Sequence, residues 1–292
     1  MGRFFLKKNF DLNHIGKEGV DLRLASICPS NTEILHYLGA TQYLVAVDQY
    51  SDWPKQIQTI KNVGPDLNIN MDELEATNPD LVLASLSVPG MEKNIEELKS
   101  RNIPYIILNP KSLHDIKDDI LTVSKAIGFD EKGSVIAQAF EEQISIFKSI
   151  ADQVKNRPSL YWEWWPKPVF TPGGTNWLTE VSELAGAINV FHDIKQDSIQ
   201  LEWDDVFKRN PDYICLAWVG IQTNKMKPEL VKKRPSWKNL QAVQEHRILL
   251  LEEWLYCRPS PRLLTGCLNL GKMIHPEVYQ SIELFEPFFE ED

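Results

Sequence analysis

Large aromatic side chains are the residues of this sequence with the strongest potential for ligand chemistry. The chain contains nine tryptophans, and eight of them lie between Trp162 and Trp254. The densest run, YWEWW, covers residues 161–165. In an extended strand alternate side chains face opposite sides, so Trp162 and Trp164 share one face and Trp165 lies on the other. We expect one face to pack in the core and the other to contact a large, flat, partly apolar ligand.

Further candidates lie on loops that follow predicted strands. Ligands of α/β proteins bind beyond the carboxyl ends of the strands and near helix N-termini, so a site is expected on these loops. For Pro29, Ser30 and Asn31 the alternative interpretation is an ordinary capped helix start. For Tyr50 and Trp53 it is packing within the loop. The predicted ligand-binding residues are Pro29, Ser30, Asn31, Tyr50, Trp53, Ser85, Trp162, Trp164, Trp165, Gly173, Trp218, Trp254 and Arg258.

Signatures of enzymes, nucleotide sites and metal sites are missing. The sequence has no GxGxxG or GxxxxGK[ST] phosphate loop, no GxSxG nucleophile turn and no HExxH. Its six histidines are scattered, and its four cysteines form no CxxC pair, which argues against zinc and against a disulfide framework. We therefore predict a binding protein with no catalytic residue, no metal ligand and no covalent cofactor.

Composition and charge exclude two classes of partner. The 292 residues are 43% hydrophobic and 25% charged, as in an ordinary globular protein. The net charge of −10 argues against nucleic acid and against binding an anionic membrane through charge. The apolar runs all stay short of the roughly 18 residues that a membrane-spanning helix needs.

Strands and helices are predicted to alternate along the chain. Alternation of this kind predicts parallel sheets covered by helices on both faces, an α/β fold. Ser30 with Glu33 predicts a capping box, and Ser260 predicts an N-cap before Pro261. Strands are expected at 23–28, 43–47, 81–84, 105–108, 159–163, 213–217 and 247–251. Helices are expected from after Pro29 to Leu38 and at 71–77, 95–99, 116–126, 131–155, 176–185, 203–209 and 261–273, with a loop at 164–174. Gly39 and Gly186 are expected to end the first of these helices and the helix at 176–185.

An internal repeat divides the chain. The segment DELEATNPDLV at 72–82 is echoed by DDVFKRNPDYI at 204–214. The long amphipathic helix predicted at 131–155, about 37 Å at 1.5 Å per residue, lies between the two copies. We predict an N-terminal extension at 1–21, an α/β lobe at 22–128, a connecting helix at 129–156 and a second lobe at 157–292. A continuous helix of this kind predicts a rigid connection and small closure.

Asp72 and Asp204 occupy the same position in the two repeats. One interpretation is that each is an acidic residue in the first turn of a helix, where the helix dipole favours it. The other is that they form a matched pair of acidic contacts, one per lobe, for a basic partner.

Three segments carry a resemblance to a known family. They are SICPSNTEILHYLG at 26–39, VGPDLNINMDELEATNPDLVLAS at 63–85, and RPSWKNLQAVQEHRILLLEEWLYCRPSPRLLTGCLNLGKMIHPE at 234–277. In this order, with the long helix between them, they resemble the helical-backbone class of ABC-transporter solute-binding proteins. The most similar branch is the cobalamin (vitamin B12) binders, which are related to siderophore and haem binders.

The resemblance implies a fold, a ligand and a partner. It implies two Rossmann-like lobes joined by one rigid helix, with cobalamin or a related corrinoid held noncovalently in an aromatic cleft between them. Asp72 and Asp204 match the positions at which the family offers acidic residues to arginines of a membrane permease, although Glu is usual there, and Glu73 and Asp205 are neighbouring substitutes. The protein is expected to be a monomer.

Two alternatives to the corrinoid binder remain. An iron-siderophore or haem binder would need arginines for an anionic chelate, and only Arg258 and Arg262 are well placed. A cytosolic enzyme or corrinoid-handling factor could reuse the fold, because fold does not determine function. Residues 1–26 show no secretory leader or lipid-attachment cysteine, which predicts a cytoplasmic location; the alternative is an extracytoplasmic protein whose leader was removed.

Overall fold

The computed structural model of the protein describes residues 22–285 and 287–288. The predicted N-terminal extension at 1–21 lies outside the described residues. The chain divides into two units that meet at Glu141 and Glu142. Each unit is described by itself.

The first unit is built on a five-stranded parallel sheet. The strands are β1 (Leu24–Ser26), β2 (Leu44–Val47), β3 (Lys61–Asn62), β4 (Leu81–Ser85) and β5 (Tyr105–Leu108), in the order β3-β2-β1-β4-β5. The helices are α1 (Pro29–Tyr37), α2 (Met71–Ala76), α3 (Glu92–Ser100), α4 (Leu113–Ala126) and α5 (Asp130–Ala151), the last of which crosses the boundary between the units. Every residue of β1 and β4 is buried, as expected for central parallel strands.

The second unit contains a parallel and an antiparallel sheet. The parallel strands are β6 (Ser159–Glu163), β9 (Ile188–Asn189), β11 (Tyr213–Leu216) and β12 (Ile248–Leu250), in the order β12-β11-β6-β9. The antiparallel strands are β7 (Trp165–Pro166), β8 (Val169–Pro172) and β10 (Ser198–Leu201), in the order β10-β8-β7. The helices are α6 (Trp177–Leu184), α7 (Trp203–Arg209), α8 (Pro228–Lys232), α9 (Gln241–Gln244), α10 (Glu253–Tyr256), α11 (Leu263–Ile274) and α12 (Pro276–Tyr279).

The sequence repeat corresponds to a structural repeat. Asn78 and Asn210 both adopt left-handed backbone with φ +46°. The Asp80 carboxylate accepts the backbone N–H of Arg23, just before β1, at 2.8 Å. The Asp212 carboxylate accepts the backbone N–H of Ser159, the first residue of β6, at the same distance. In each unit the Asn-Pro-Asp turn therefore aligns a strand beside the first strand of the sheet, β4 beside β1 and β11 beside β6.

Most predicted elements form, with differences at their ends. Gly39 and Gly186 end helices with φ +67° and +76°, where a glycine is expected. The predicted capping box is wrong: α1 begins at Pro29, so Ser30 lies inside the helix and Cys28 is the N-cap. A proline fits the first helical position because its N–H needs no partner there.

Two further expectations are corrected. The final long helix begins at Leu263 and not at Pro261, and the Ser260 hydroxyl accepts the N–H of the N-cap residue Arg262 at 3.2 Å. The loop predicted at 164–174 contains the β7–β8 hairpin, which joins β10 in the antiparallel sheet. Strands of two to four residues give little alternation in the sequence, which is why the pattern did not indicate them.

Candidate ligand-binding site

Three exposed apolar side chains lie on loops at the carboxyl edge of the first unit's sheet. Tyr50 follows β2, Leu67 follows β3 and Val88 follows β4, and each is between 38 and 44% exposed. Because the strands are parallel, these loops lie at one edge of the sheet. A Cβ added at Gly90 would lie 3.6 Å from the Leu67 side chain, so the turn after Val88 contacts the loop after β3. Tyr50 was predicted; Leu67 and Val88 were not, because isolated aliphatic residues in polar loops give no pattern.

A buried carboxylate holds the Tyr50 turn in place. Asp48 is buried and accepts the backbone N–H groups of Tyr50 at 2.8 Å and Ser51 at 3.1 Å. The Ser51 hydroxyl donates to the same carboxylate and lies 2.7 Å from the Thr32 hydroxyl of α1. The Thr32 hydroxyl also donates to Ser26 at 2.7 Å, so the turn is tied to β1 and α1.

The remaining predicted residues of the first unit support this edge from within. Pro29, Ser30 and Asn31 are buried, and the Asn31 amide donates to the Ala84 carbonyl of β4 at 3.0 Å. Ser85 is also buried, and its hydroxyl accepts the N–H of Ser87 at 3.0 Å at the start of the turn that carries Val88.

Trp53 packs against helix α1. Its ring meets His36 edge-on, with centroids 4.3 Å apart, and lies 5.6 Å from Tyr37. These contacts are the loop packing that the sequence left open. Trp53 is only partly buried, so part of its ring surface is exposed.

The carboxyl edge of the second unit also presents apolar side chains. Trp165, two residues after β6, and Val219, three residues after β11, are 42 and 44% exposed, and Leu230, on α8 in the connection that follows β11, is 56% exposed. The Val219 N–H donates to the Trp164 carbonyl at 3.1 Å, which joins the two strand ends. The indole N–H of Trp165 donates to the Lys167 carbonyl at 3.0 Å, so its ring is oriented by the hairpin.

A second buried carboxylate lies at this edge. Glu163, the last residue of β6, is 0% exposed, and Arg234 is 7% exposed. The two form a bidentate ion pair, with nitrogen–oxygen distances of 2.6 and 2.7 Å. Tyr161 donates its hydroxyl to Glu163 at 2.7 Å, and Trp218 donates its indole N–H at 3.0 Å. Burial, followed by the nearby Glu163 charge, raises the pKa of Tyr161 well above its usual value, so its hydroxyl stays protonated and donates.

The tryptophans of the YWEWW run differ from the prediction. Trp162 is fully buried, donates its indole N–H to Ser182 at 2.9 Å and packs against Tyr256, so its assignment to the ligand site is corrected to a core position. Trp164 is partly buried and stacked on Trp177 at 5.9 Å. On the opposite face of the run Trp165 is exposed, whereas Tyr161 and Glu163 are buried because both faces of a central parallel strand are covered.

The other predicted residues of the second unit are held by internal contacts. Trp218 is buried, and its indole N–H donates to Glu163. At Gly173 an added Cβ would lie 2.3 Å from the Gln196 carbonyl oxygen, so this glycine is needed for close backbone packing. Trp254 is partly buried beneath the Arg262 guanidinium at 4.0 Å, and Arg258 is buried and paired with Glu253 at 3.2 Å.

The two predicted docking residues are both exposed in the first turn of a helix. Asp72, on α2, pairs with Arg101, the C-cap residue of α3, at 2.6 Å. Asp204, on α7, pairs with Lys208 one turn further along the same helix at 2.8 Å. Asp205, the neighbour of Asp204, is engaged in a capping box with Glu202.

The described part of the chain has neither a metal-binding cluster nor a membrane-spanning helix. Residues 22–285 and 287–288 contain no group of three histidine, cysteine or acidic side chains that could hold a metal ion. The helices in these residues include none with the length and apolar character required to cross a bilayer. The four cysteines are free thiols, and burial raises the pKa of Cys28 to about 11, so this thiol is protonated and unreactive at neutral pH.

Comparison with known proteins decides the family. The profile described as periplasmic binding protein matches residues 24–254. The chain belongs to this family. The predicted resemblance and the α/β fold class are therefore confirmed.

Several relatives show what the chain is similar to. The ABC transporter substrate-binding lipoprotein YvrC of Bacillus subtilis is 27% identical over 263 residues, covering 88% of this chain and 81% of the relative. A vitamin B12-binding protein of Vibrio cholerae is 29% identical over 247 residues, covering 83% of this chain and 85% of the relative.

Solved structures show the same fold. The vitamin B12 binding protein BtuF of Vibrio cholerae superposes with a TM-score of 0.71 at 23% identity, covering 89% of this chain and 98% of that one. IsdE of S. aureus, solved with heme, superposes with a TM-score of 0.77 at 16% identity, covering 87% and 99%.

The predicted cytoplasmic location is wrong. The family is one of periplasmic binding proteins, and YvrC is a lipoprotein, which indicates a place outside the cytoplasmic membrane. The prediction relied on a missing leader pattern, and leaders are cleaved from mature proteins, so that pattern does not decide location.

Proposed function

We propose that this periplasmic binding protein holds cobalamin or a related corrinoid noncovalently and performs no covalent chemistry. The observation that carries the proposal is the distribution of exposed apolar side chains. Among the described residues eleven large hydrophobic side chains are exposed; five of them follow strands at the carboxyl edges of the two parallel sheets, and a sixth lies on α8 in the connection that follows β11. These six are Tyr50, Leu67, Val88, Trp165, Val219 and Leu230.

Apolar side chains at a ligand-binding edge favour a large ligand with an apolar face. Concentrated exposed hydrophobic surface marks interaction sites, and flat rings pack against aromatic and aliphatic side chains. A corrin ring carrying neutral amide groups suits the exposed apolar side chains at these sheet edges. The curated relatives named vitamin B12-binding proteins support the same ligand.

Two buried arginines of the second unit, Arg234 and Arg258, argue against a highly anionic iron chelate as the ligand. Arg234 is paired with Glu163 and Arg258 with Glu253, so both charges are already balanced by carboxylates of this chain. An anionic siderophore would have to displace these partners. Haem is the second candidate, because it is also large and flat and because the exposed phenol of Tyr50 is a group that can ligate haem iron.

Calorimetric titration separates these ligands. We expect heat and tryptophan quenching when cyanocobalamin is added, and a pink-red complex that survives gel filtration. Haemin titrated in parallel should bind more weakly. An absence of both heat and quenching with cyanocobalamin would remove corrinoids, and tight haemin binding with a Soret shift would select the second candidate.

We also propose that the protein is a monomer that delivers its ligand to an ABC permease, with Asp72 and Asp204 as contacts. Both residues are exposed and occupy matched positions of the structural repeat. Their present partners, Arg101 and Lys208, form surface ion pairs, which are weak and can exchange for a partner's cations. The double variant Asp72→Lys/Asp204→Lys should no longer capture the detergent-solubilised permease, while the control Glu131→Lys on α5 should capture it as the parent does. Equal capture by the parent, the double variant and the control would exclude this contact.

A further inference from the structure

We infer that Glu163 is a positioning residue that sets the shape of the ligand-binding edge of the second unit. The inference rests on the proposed function, since it concerns the same edge. Glu163 touches no predicted ligand surface itself, because it is fully buried. It acts through the segments whose side chains are bonded to it.

One carboxylate gathers donors from three parts of the chain. Oε1 accepts from Trp218 at 3.0 Å and from Arg234 at 2.7 Å. Oε2 accepts from Tyr161 at 2.7 Å and from Arg234 at 2.6 Å. A carboxylate has about four lone-pair sites, so these four bonds use its accepting capacity fully.

The three exposed apolar side chains Trp165, Val219 and Leu230 each lie within four residues of a member of this network. Trp165 lies two residues after Glu163. Val219 is the neighbour of Trp218, whose indole is held inward by Glu163. Leu230 lies on α8. Arg234, four residues later, is bonded to Glu163, and its guanidinium lies 5.2 Å from the Trp203 ring and 4.6 Å from the Trp237 ring.

Backbone bonds reinforce the same arrangement. The Ala217 N–H donates to the Glu163 carbonyl at 3.1 Å, and the Ile221 N–H closes the turn by donating to the Trp218 carbonyl at 3.1 Å. The side chain and the main chain of Glu163 therefore hold the end of β11 beside the end of β6. In the connection from β11 to β12, which has only short helices, the Arg234 ion pair adds to the core packing of Met226, Val231 and Trp237.

Stability alone is a weak reason for this buried ion pair. Replacing such pairs by apolar side chains is often neutral or stabilising, because the cost of desolvating two charges offsets their attraction. The best-attested advantage of a buried polar group is that it specifies one arrangement over others. A preformed binding edge requires that its segments be held in one arrangement, and the buried ion pair can hold them so.

The test compares Glu163→Gln with a control in the same unit. Tyr279→Phe removes a buried hydrogen bond to the Leu184 carbonyl, at the end of α6 that leads into β9 and away from the edge. We expect Glu163→Gln to weaken cyanocobalamin binding at least tenfold. Amide exchange measured without ligand should accelerate at least tenfold in 217–221 and 226–236. Tyr279→Phe should lower the unfolding midpoint while leaving the dissociation constant and exchange in these segments unchanged.

Two further variants keep the inference testable if Glu163→Gln folds poorly. Trp218→Phe keeps an aromatic ring and removes only the indole N–H, and it should speed exchange in 217–221 by a smaller factor. The double variant Glu163→Gln/Arg234→Met removes both buried charges, so it should recover the unfolding midpoint without recovering affinity.

The outcomes are distinct. Parent-like affinity and exchange in Glu163→Gln, or affinity that recovers together with stability in the double variant, would overturn the positioning role. If the parent itself fails to bind cyanocobalamin, the proposed ligand is wrong, and the ligand-free exchange measurements alone then decide the role of Glu163.

Discussion

The two units hold their carboxyl edges by different means. In the first, Asp48 accepts backbone N–H groups from Tyr50 and Ser51, which are two and three residues away. In the second, Glu163 accepts from Trp218 and Arg234, which are 55 and 71 residues away. One edge is a local turn and the other is a convergence of distant segments. The difference teaches that units related by a repeat can share strand order and turn chemistry while their ligand edges are built independently.

The largest expected effect comes from breaking the distant network. Glu163→Ala leaves the Arg234 charge buried without its partner, which typically costs about 3–5 kcal/mol. Asp48→Asn keeps an oxygen that can accept the turn's N–H groups, so it should cost only about 1 kcal/mol. Urea unfolding of both variants measures the contrast. Equal losses would show that the two carboxylates are equivalent and would break the comparison.

A third buried carboxylate sharpens the comparison because no cation pairs with it in the described residues. Burial, followed by the charges of Asp115 and Asp118, raises the pKa of Asp119 on α4 to about 8. A carboxyl group whose pKa is raised on folding binds its proton more tightly in the folded state. The free energy of unfolding should therefore fall as the pH rises from about 4 to 8, and stay level above that.

Asp119→Asn should remove this pH dependence. The stability advantage of the variant over the parent should grow between pH 5 and pH 8, reaching a few kcal/mol. Thermal unfolding at several pH values measures it, with Glu131→Gln at an exposed position of α5 as the control. An advantage that is constant with pH would show that Asp119 is ionised throughout.

The smallest expected effects concern the side chains that we propose as ligand contacts. Trp165→Ala should weaken cyanocobalamin binding about 10- to 100-fold, since a central aromatic contact contributes about 1.4–2.7 kcal/mol. Tyr50→Ala should cost about tenfold or less. Leu121→Ala, an exposed apolar residue on α4, should change nothing. Calorimetry ranks the three, and a larger loss at Tyr50 than at Trp165 would place the main contact in the first unit.

Several features were predictable because their signals are local. Apolar periodicity indicated β5, β6 and α7 with their observed ends, and the Asn-Pro-Asp turns indicated the repeat. The helix ends at Gly39 and Gly186 were predictable for the same reason, since one residue type suits positive φ. Family membership followed from the order of such segments along the chain. All of these depend on residues within a few positions of one another.

The tertiary structure alone decided which side chains of the aromatic run are exposed. Trp162 and Trp165 are three residues apart in one aromatic run, yet one is buried in the core and the other is exposed. The role of Glu163 depends on Arg234, and no spacing rule joins residues 71 positions apart. Burial and long-range pairing arise when separate segments pack together, and local sequence patterns do not record that packing.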